Sequence, residues 1–232
     1  MPGRSPNRRG PGQRAGLRRE AVLSEARALV ADGGIQRLTV RRLADRLGVA
    51  PNALYSHFRD KSALLDALVD SVLADVEVPG LNRMGWREGL VELMGASRRL
   101  LLAHSDLLPI IMSRPTRGPE ALRLGEQTLS MLERAGLEGG QAVEALRILL
   151  TFTFGFAAQE APRRADPEGE RRRTENEAAF AAAPDRPRMR ELAVQLTRHP
   201  GDETFERGLG WLLDGIDAAG ARRRQAWGPG KR

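Results

Sequence analysis

Residues 38–61 read LTVRRLADRLGVAPNALYSHFRDK, and this stretch decides the fold. Thr39 is placed to cap a short helix whose apolar residues Val40, Leu43, Ala44 and Leu47 fall on one face. Gly48 ends that helix, because a residue without Cβ takes a positive φ at no steric cost. A second helix opens at Ala50–Pro51, with proline in the first turn, where its missing N–H is not needed. Asn52, Tyr55, Ser56 and His57 are then the outward, hydrogen-bonding residues, while Leu54 and Phe58 point inward. Two short helices around a glycine turn, the second polar and aromatic on its free face, read as a helix-turn-helix. The competing reading is a plain helical hairpin within a larger bundle.

Working outward, the charge balance favours the first reading. The chain of 232 residues carries a net charge of +7, but residues 1–61 hold 13 Lys and Arg against 5 Asp and Glu. The remaining residues hold 24 against 25, so the positive field coincides with the motif. That asymmetry is expected when one end of a protein meets phosphates and the other does not. The absence of cysteine excludes disulfides, thiol catalysis and cysteine-ligated zinc. His57, His104 and His199 lie far apart and make no metal-ligand spacing, so neither a metal nor another cofactor is expected. With no apolar run of membrane-spanning length and no signal-type segment at its start, the chain is expected in the cytoplasm, away from membranes.

The rest of the chain reads as all-α, with about nine or ten helices. Residues 1–16, rich in Pro, Gly and Arg, read as a disordered basic arm that either contacts DNA or is only solvated. A first helix spans about Leu17–Ala31 and stops at Asp32-Gly33-Gly34. After the motif, Asp60 is positioned to cap a helix running to about Val76, whose apolar stripe is long enough to link two domains. Pro79-Gly80 marks the boundary, giving a DNA-binding domain over 17–78 and a helical domain over 79–224. In the latter, helices are expected over 86–103, 105–113, 120–135, 141–159, 189–197 and 203–222. The charged segment 161–188 reads as a mobile loop with a brief helical stretch over 178–183, and 225–232 as a frayed tail.

With these helices placed, the chain resembles the TetR family of transcriptional regulators. The resemblance is strongest over Leu17–Val76, including the L-Y-x-H-F-x-x-K run at Leu54–Lys61. More loosely, HSDLLPIIMSRPT (His104–Thr116) and FTFGFAAQE (Phe152–Glu160) resemble the ligand-binding domain of the tetracycline repressor subgroup. The resemblance implies DNA contacts from Arg41, Pro51, Asn52, Tyr55, Ser56, His57 and Lys61. Arg41 is suited to a guanine edge and Asn52 to adenine, whereas Tyr55, His57 and Lys61 suit phosphates.

It also implies a homodimer through helices 141–159 and 203–222, reading a double-stranded palindromic operator, most simply as a repressor. A small-molecule effector would sit among Leu90, Met94, Ser97, Met112, Phe152 and Phe156, residue types that also make ordinary core. The tetracycline repressors bind drug-chelated magnesium with a histidine after the fifth helix. Here that stretch reads Leu108-Pro109-Ile110-Ile111-Met112, which points to an apolar ligand instead. The alternative function is a constitutive DNA-binding factor whose second domain only dimerises. An enzyme is not expected, because the sequence presents no nucleophile–base pair, metal cluster or phosphate loop.

Overall fold

The computed structural model describes residues 17–113, 117–164, 168–198 and 200–226. The expected basic arm, His199, most of the tail and residues 165–167 of the expected loop lie outside them. Among the described residues there are twelve α-helices, three single 3-10 turns and no strand. The surplus over nine or ten comes from a helix at Gly169–Ala181 within the expected loop and from the expected helix over 189–197, which is divided into Pro187–Glu191 and Ala193–Thr197. The chain forms two compact units that divide between Leu68 and Val69.

The first unit holds α1 (Arg19–Ala31), α2 (Val40–Leu47), α3 (Pro51–Tyr55) and the first half of α4 (Lys61–Leu73). Its local chemistry follows the expected signals. The Arg42 N–H donates to Thr39 Oγ1 at 3.2 Å, and Gly48 ends α2 at φ 65°. Pro51 opens α3, and the Ala63 N–H donates to Asp60 Oδ1 at 2.8 Å at the start of α4. Val22, Ala26, Leu29, Leu38, Leu43 and Leu54 are all at most 5% exposed and fill the interior. Each of the Val and Leu side chains contributes about 1.5–3 kcal/mol on burial, which explains how so few residues order three short helices.

The Asp60 carboxyl is held below the usual carboxylate range, first by the Ala63 N–H and then by the Arg59 side chain. A lowered folded value means that the charge-dependent part of this cap is present at neutral pH and is lost as the pH falls through that value. The gap in melting temperature between wild type and Asp60→Asn should therefore narrow on acidification. Thermal melts across an acid pH series check this, and a gap independent of pH would refute it.

The second unit takes the C-terminal half of α4 and the remaining helices. These are α5 (Trp86–Ala103), α6 (Leu108–Ser113), α7 (Pro119–Arg134), α8 (Gly140–Arg164), α9 (Gly169–Ala181), α10 (Pro187–Glu191), α11 (Ala193–Thr197) and α12 (Asp202–Ala226). The division inside α4 has a simple cause. The stripe continues through Val69 and Val72 to Val76, which is 1% exposed in the core of the second unit. That core is built by Leu90, Leu93 and Met94 of α5, Leu132 of α7, Leu149 of α8 and Leu209 and Leu213 of α12.

Asp70 of α4 fastens the start of α7, accepting hydrogen bonds from the Glu120 and Ala121 N–H groups at 3.0 and 3.1 Å. Arg123 adds a bond to the Val76 carbonyl at 3.1 Å. Side-chain capping from another helix does the work usually done by the residue before the helix, which here is Gly118.

Besides the divided helix over 187–197, two segments differ from expectation. The stretch 161–188, read as a loop from its Pro and charge content, is largely helical, with α8 reaching Arg164 and α9 spanning Gly169–Ala181. Its charges are spaced for helix: Arg171 pairs with Glu168 and Glu175, and Arg173 with Glu170 and Glu177. Such pairs each add a few tenths of a kcal/mol to an exposed helix. The other difference is at 105–113, expected as one helix: it is a 3-10 turn at Ser105–Leu107 followed by α6, with Pro109 in the first turn of α6.

Candidate nucleic-acid interface

The helices α2 and α3 turn one polar face outward. Arg41, Pro51, Asn52, Tyr55, Ser56 and Lys61 are all exposed, Tyr55 by 50%, while their neighbours Leu43, Ala44 and Leu54 are buried. Among the described residues the Arg41 guanidinium and the Lys61 ammonium have no carboxylate partner. Arg42 likewise has none, whereas Arg46 is paired with Glu25 and Asp32, and Arg59 with Asp60. The Arg46 pairing, led by its hydrogen bond to Asp32, holds that guanidinium above its ordinary pKa. Arg46 and Arg59 are thus committed within the domain, whereas Arg41 and Lys61 are exposed and unpaired among the described residues.

Two of the seven expected contact residues are partly committed. The Ser56 hydroxyl donates to the Ala53 carbonyl at 2.7 Å, closing the end of α3. His57 is half-buried, its ring 6.5 Å from that of Phe58. Both still border the exposed face. Asn52 and Tyr55 on α3, flanked by the cations Arg41 of α2 and Lys61 of α4 over an apolar base, suit a groove and its phosphates.

The expected effector residues are distributed less uniformly. Leu90 and Met94 are 0% and 1% exposed within the core, and the Ser97 hydroxyl is spent on the Leu93 carbonyl at 2.8 Å. Phe152 and Phe156 pack on each other and on Phe205, with ring centres 5.2–5.7 Å apart. Met112, by contrast, is 55% exposed and borders an open groove of about 370 Å³ with Ser105, Asp106, Pro109 and Ala158. The structure therefore gathers five of these six residues at or against the α5–α8 core and leaves Met112 at the surface.

Beside this aromatic group lies a feature that the sequence reading missed. Arg98 of α5, whose side chain is 5% exposed, donates to Glu160 Oε2 from Nε at 3.0 Å and Nη2 at 2.6 Å, and to Asp202 Oδ1 at 2.8 Å. Its guanidinium lies 4.8 Å from the Phe205 ring centre and 5.4 Å from that of Phe156. Burial opposes its charge, but the bonds to Asp202 and Glu160 outweigh that and hold its pKa above the ordinary value. Only the adjacency of a charge to the apolar stripe of α5 signalled it.

A basic, outward-facing helix-turn-helix joined to a helical domain defines a DNA-binding transcriptional regulator. The chain belongs to the TetR family: residues 22–68 match bacterial regulatory proteins of the tetR family, and 78–219 match the tetracyclin repressor-like C-terminal domain. It is 35% identical to the tetracycline repressor protein class C of Escherichia coli, over 87% of this chain and 91% of that one. ActR of Streptomyces coelicolor, solved in complex with actinorhodin, matches at 29% identity and a TM-score of 0.82, over 89% of this chain and 98% of that one. BioQ, solved with its double-stranded DNA operator, matches at 26% identity and a TM-score of 0.64, over 87% and 99%.

Family members are dimeric, and α8 and α12 carry a face suited to it. Val143 and Ile148 of α8 and Trp211 of α12 are 38%, 52% and 70% exposed. Ile148, Trp211, Leu212 and Ile216 border a groove of about 340 Å³ between the two helices. Over Gly140–Ala161 α8 is long and apolar enough to cross a membrane, as core and interface helices also are, and only 28% of its most apolar stretch is buried within the chain. In a dimeric regulator those are the properties of an interface helix.

Proposed function

We propose that the protein is a homodimeric repressor that reads a palindromic operator and leaves it when a small apolar molecule binds the second unit. The observation that carries this reading is the free polar face of α2 and α3, in which Arg41, Asn52, Tyr55 and Lys61 stand exposed over a buried apolar base. In this reading Arg41 and Asn52 read base edges, while Tyr55, His57 and Lys61, with Pro51 and Ser56 beside them, fit the protein to the backbone. Two copies joined through α8 and α12 would place their recognition helices about 34 Å apart, one turn of DNA. The work is done where the DNA is, in the cytoplasm.

The ligand class follows from α6. Leu108, Pro109, Ile110, Ile111 and Met112 offer hydrocarbon and a thioether, which do not fit a hard magnesium chelate that demands oxygen or imidazole donors. An uncharged or weakly polar apolar molecule suits these residues better. To release DNA it need only prefer the DNA-incompetent state, and a coupling of about 1–3 kcal/mol is typical. The complete burial of Leu90 and Met94 supports a second reading, in which the domain is a packed dimerisation scaffold and DNA binding is constitutive. A thermal-shift screen separates the two, since a true effector raises the melting temperature and lowers operator affinity together.

The DNA reading is tested on an operator selected from random duplexes. Tyr55→Ala and Lys61→Ala should each weaken binding to all sequences alike, with a salt slope lower by about one for Lys61→Ala. Asn52→Ala should instead relax preference at one position of the half-site. Unchanged affinities in gel-shift titrations, or an unaltered selection profile, would sink these assignments.

A further inference from the structure

The recognition helix α3 spans only Pro51–Tyr55, too short for a hydrogen-bond ladder that fixes its own direction. Its pitch therefore depends on what holds its two ends. The leading end is set by Ala50–Pro51, and Leu54 roots the middle in the core, being 3% exposed. At the trailing end, the His57 and Phe58 N–H groups both donate to the Leu54 carbonyl, at 3.0 Å each. The chain then meets Arg19, the first residue of α1. Arg19 Nη1 donates to the His57 carbonyl at 2.8 Å, and its guanidinium carbon lies 4.3 Å from the centre of the Phe58 ring.

One cation thus does three things at one place. It satisfies a carbonyl just beyond the helix end, it stacks on an aromatic ring that is 4% exposed, and it places positive charge at the negative end of α3. A planar guanidinium suits this combination, since it stacks with its face and donates with its edge.

We propose that Arg19 is a positioning residue for operator recognition: it fixes the trailing end of α3, and so the direction of Asn52, Tyr55 and His57, without touching a base. The proposal rests on the reading of α3 as the recognition helix, and the test keeps the two apart. Wild type, Arg19→Ala and Arg19→Lys are titrated by fluorescence anisotropy against the selected operator and a scrambled duplex over a salt series, with thermal melts alongside. Arg19→Ala should lower the ratio of operator to scrambled affinity on the order of tenfold, comparable to the loss of one good base contact. Its salt slope should match that of wild type. Arg19→Lys, which keeps the charge and a donor but not the planar stacking, should restore only part of the ratio.

Equal loss on both duplexes, with a salt slope lower by about one, would make Arg19 a direct phosphate contact and overturn the proposal. A lower melting temperature with the ratio intact would reduce it to a stability contact and also overturn it. Should Arg19→Ala melt below the assay temperature, Arg19→Gln carries the same comparison. A wild type that selects no operator would refute the recognition reading itself.

Discussion

Arg98→Met is expected to cost the second unit about 3–5 kcal/mol of folding stability, the penalty for removing one partner of a buried ion pair. Methionine fills much the same volume, so the loss is electrostatic and not a cavity. The substitution strips the guanidinium from Glu160, whose side chain is 9% exposed and which accepts two of the Arg98 hydrogen bonds. Replacing both partners, as Arg98→Met with Glu160→Leu, should recover much of the loss, because an apolar pair has nothing to desolvate. Urea denaturation at fixed protein concentration measures all three. A double variant no more stable than Arg98→Met alone would show that charge is not the cause.

This same ion pair marks where sequence reading stops. Periodicity and capping placed α1 to α5, α7 and α12 to within a few residues, because each has an apolar face and a local stop or start signal such as Thr39, Gly48, Pro51 or Asp60. The outward residues of α3 were legible for the same reason. Arg98 and Glu160 are 62 residues apart. Nothing local distinguishes them from solvated charges, and only the packing of α5 on α8 brings them together. Arg19 is hidden likewise, 38 residues from the carbonyl that it binds. In α9 the error ran the other way: composition suggested a loop, whereas the spacing of its Arg and Glu residues favoured a helix with no buried face. Contacts made by single polar atoms across long separations carry no periodic signal, and those are what position the recognition helix and lock the second core.

Gly220→Ala is expected to destabilise the second unit by about 1–3 kcal/mol or more, the cost of forcing an extra methyl into a packed contact. A Cβ at Gly220 would lie 2.0 Å from the Ala135 carbonyl oxygen and 3.1 Å from its carbon, and backbone does not swing aside as a side-chain tip would. The carbonyl is also tethered, accepting from Arg224 Nη1 at 2.8 Å. On the opposing side Gly136 takes φ 96°, with its own Cβ position 3.3 Å from the Gly220 Cα, so the turn after α7 and the helix α12 touch backbone to backbone. Gly125 in α7 is the control, since a Cβ there meets nothing within 4 Å and the residue lies inside a helix. Gly125→Ala should stabilise by about 0.5–1 kcal/mol through lost backbone freedom in the unfolded chain. Opposite shifts in melting temperature for two identical changes of side chain check the argument, and shifts of the same sign would refute it. Because α12 also carries Trp211 and part of the groove it shares with α8, pushing it off α7 should weaken the dimer as well. Gly220→Ala should then lose operator affinity at low protein concentration and regain it at high concentration, whereas a defect confined to the recognition helix would not respond to concentration in this way.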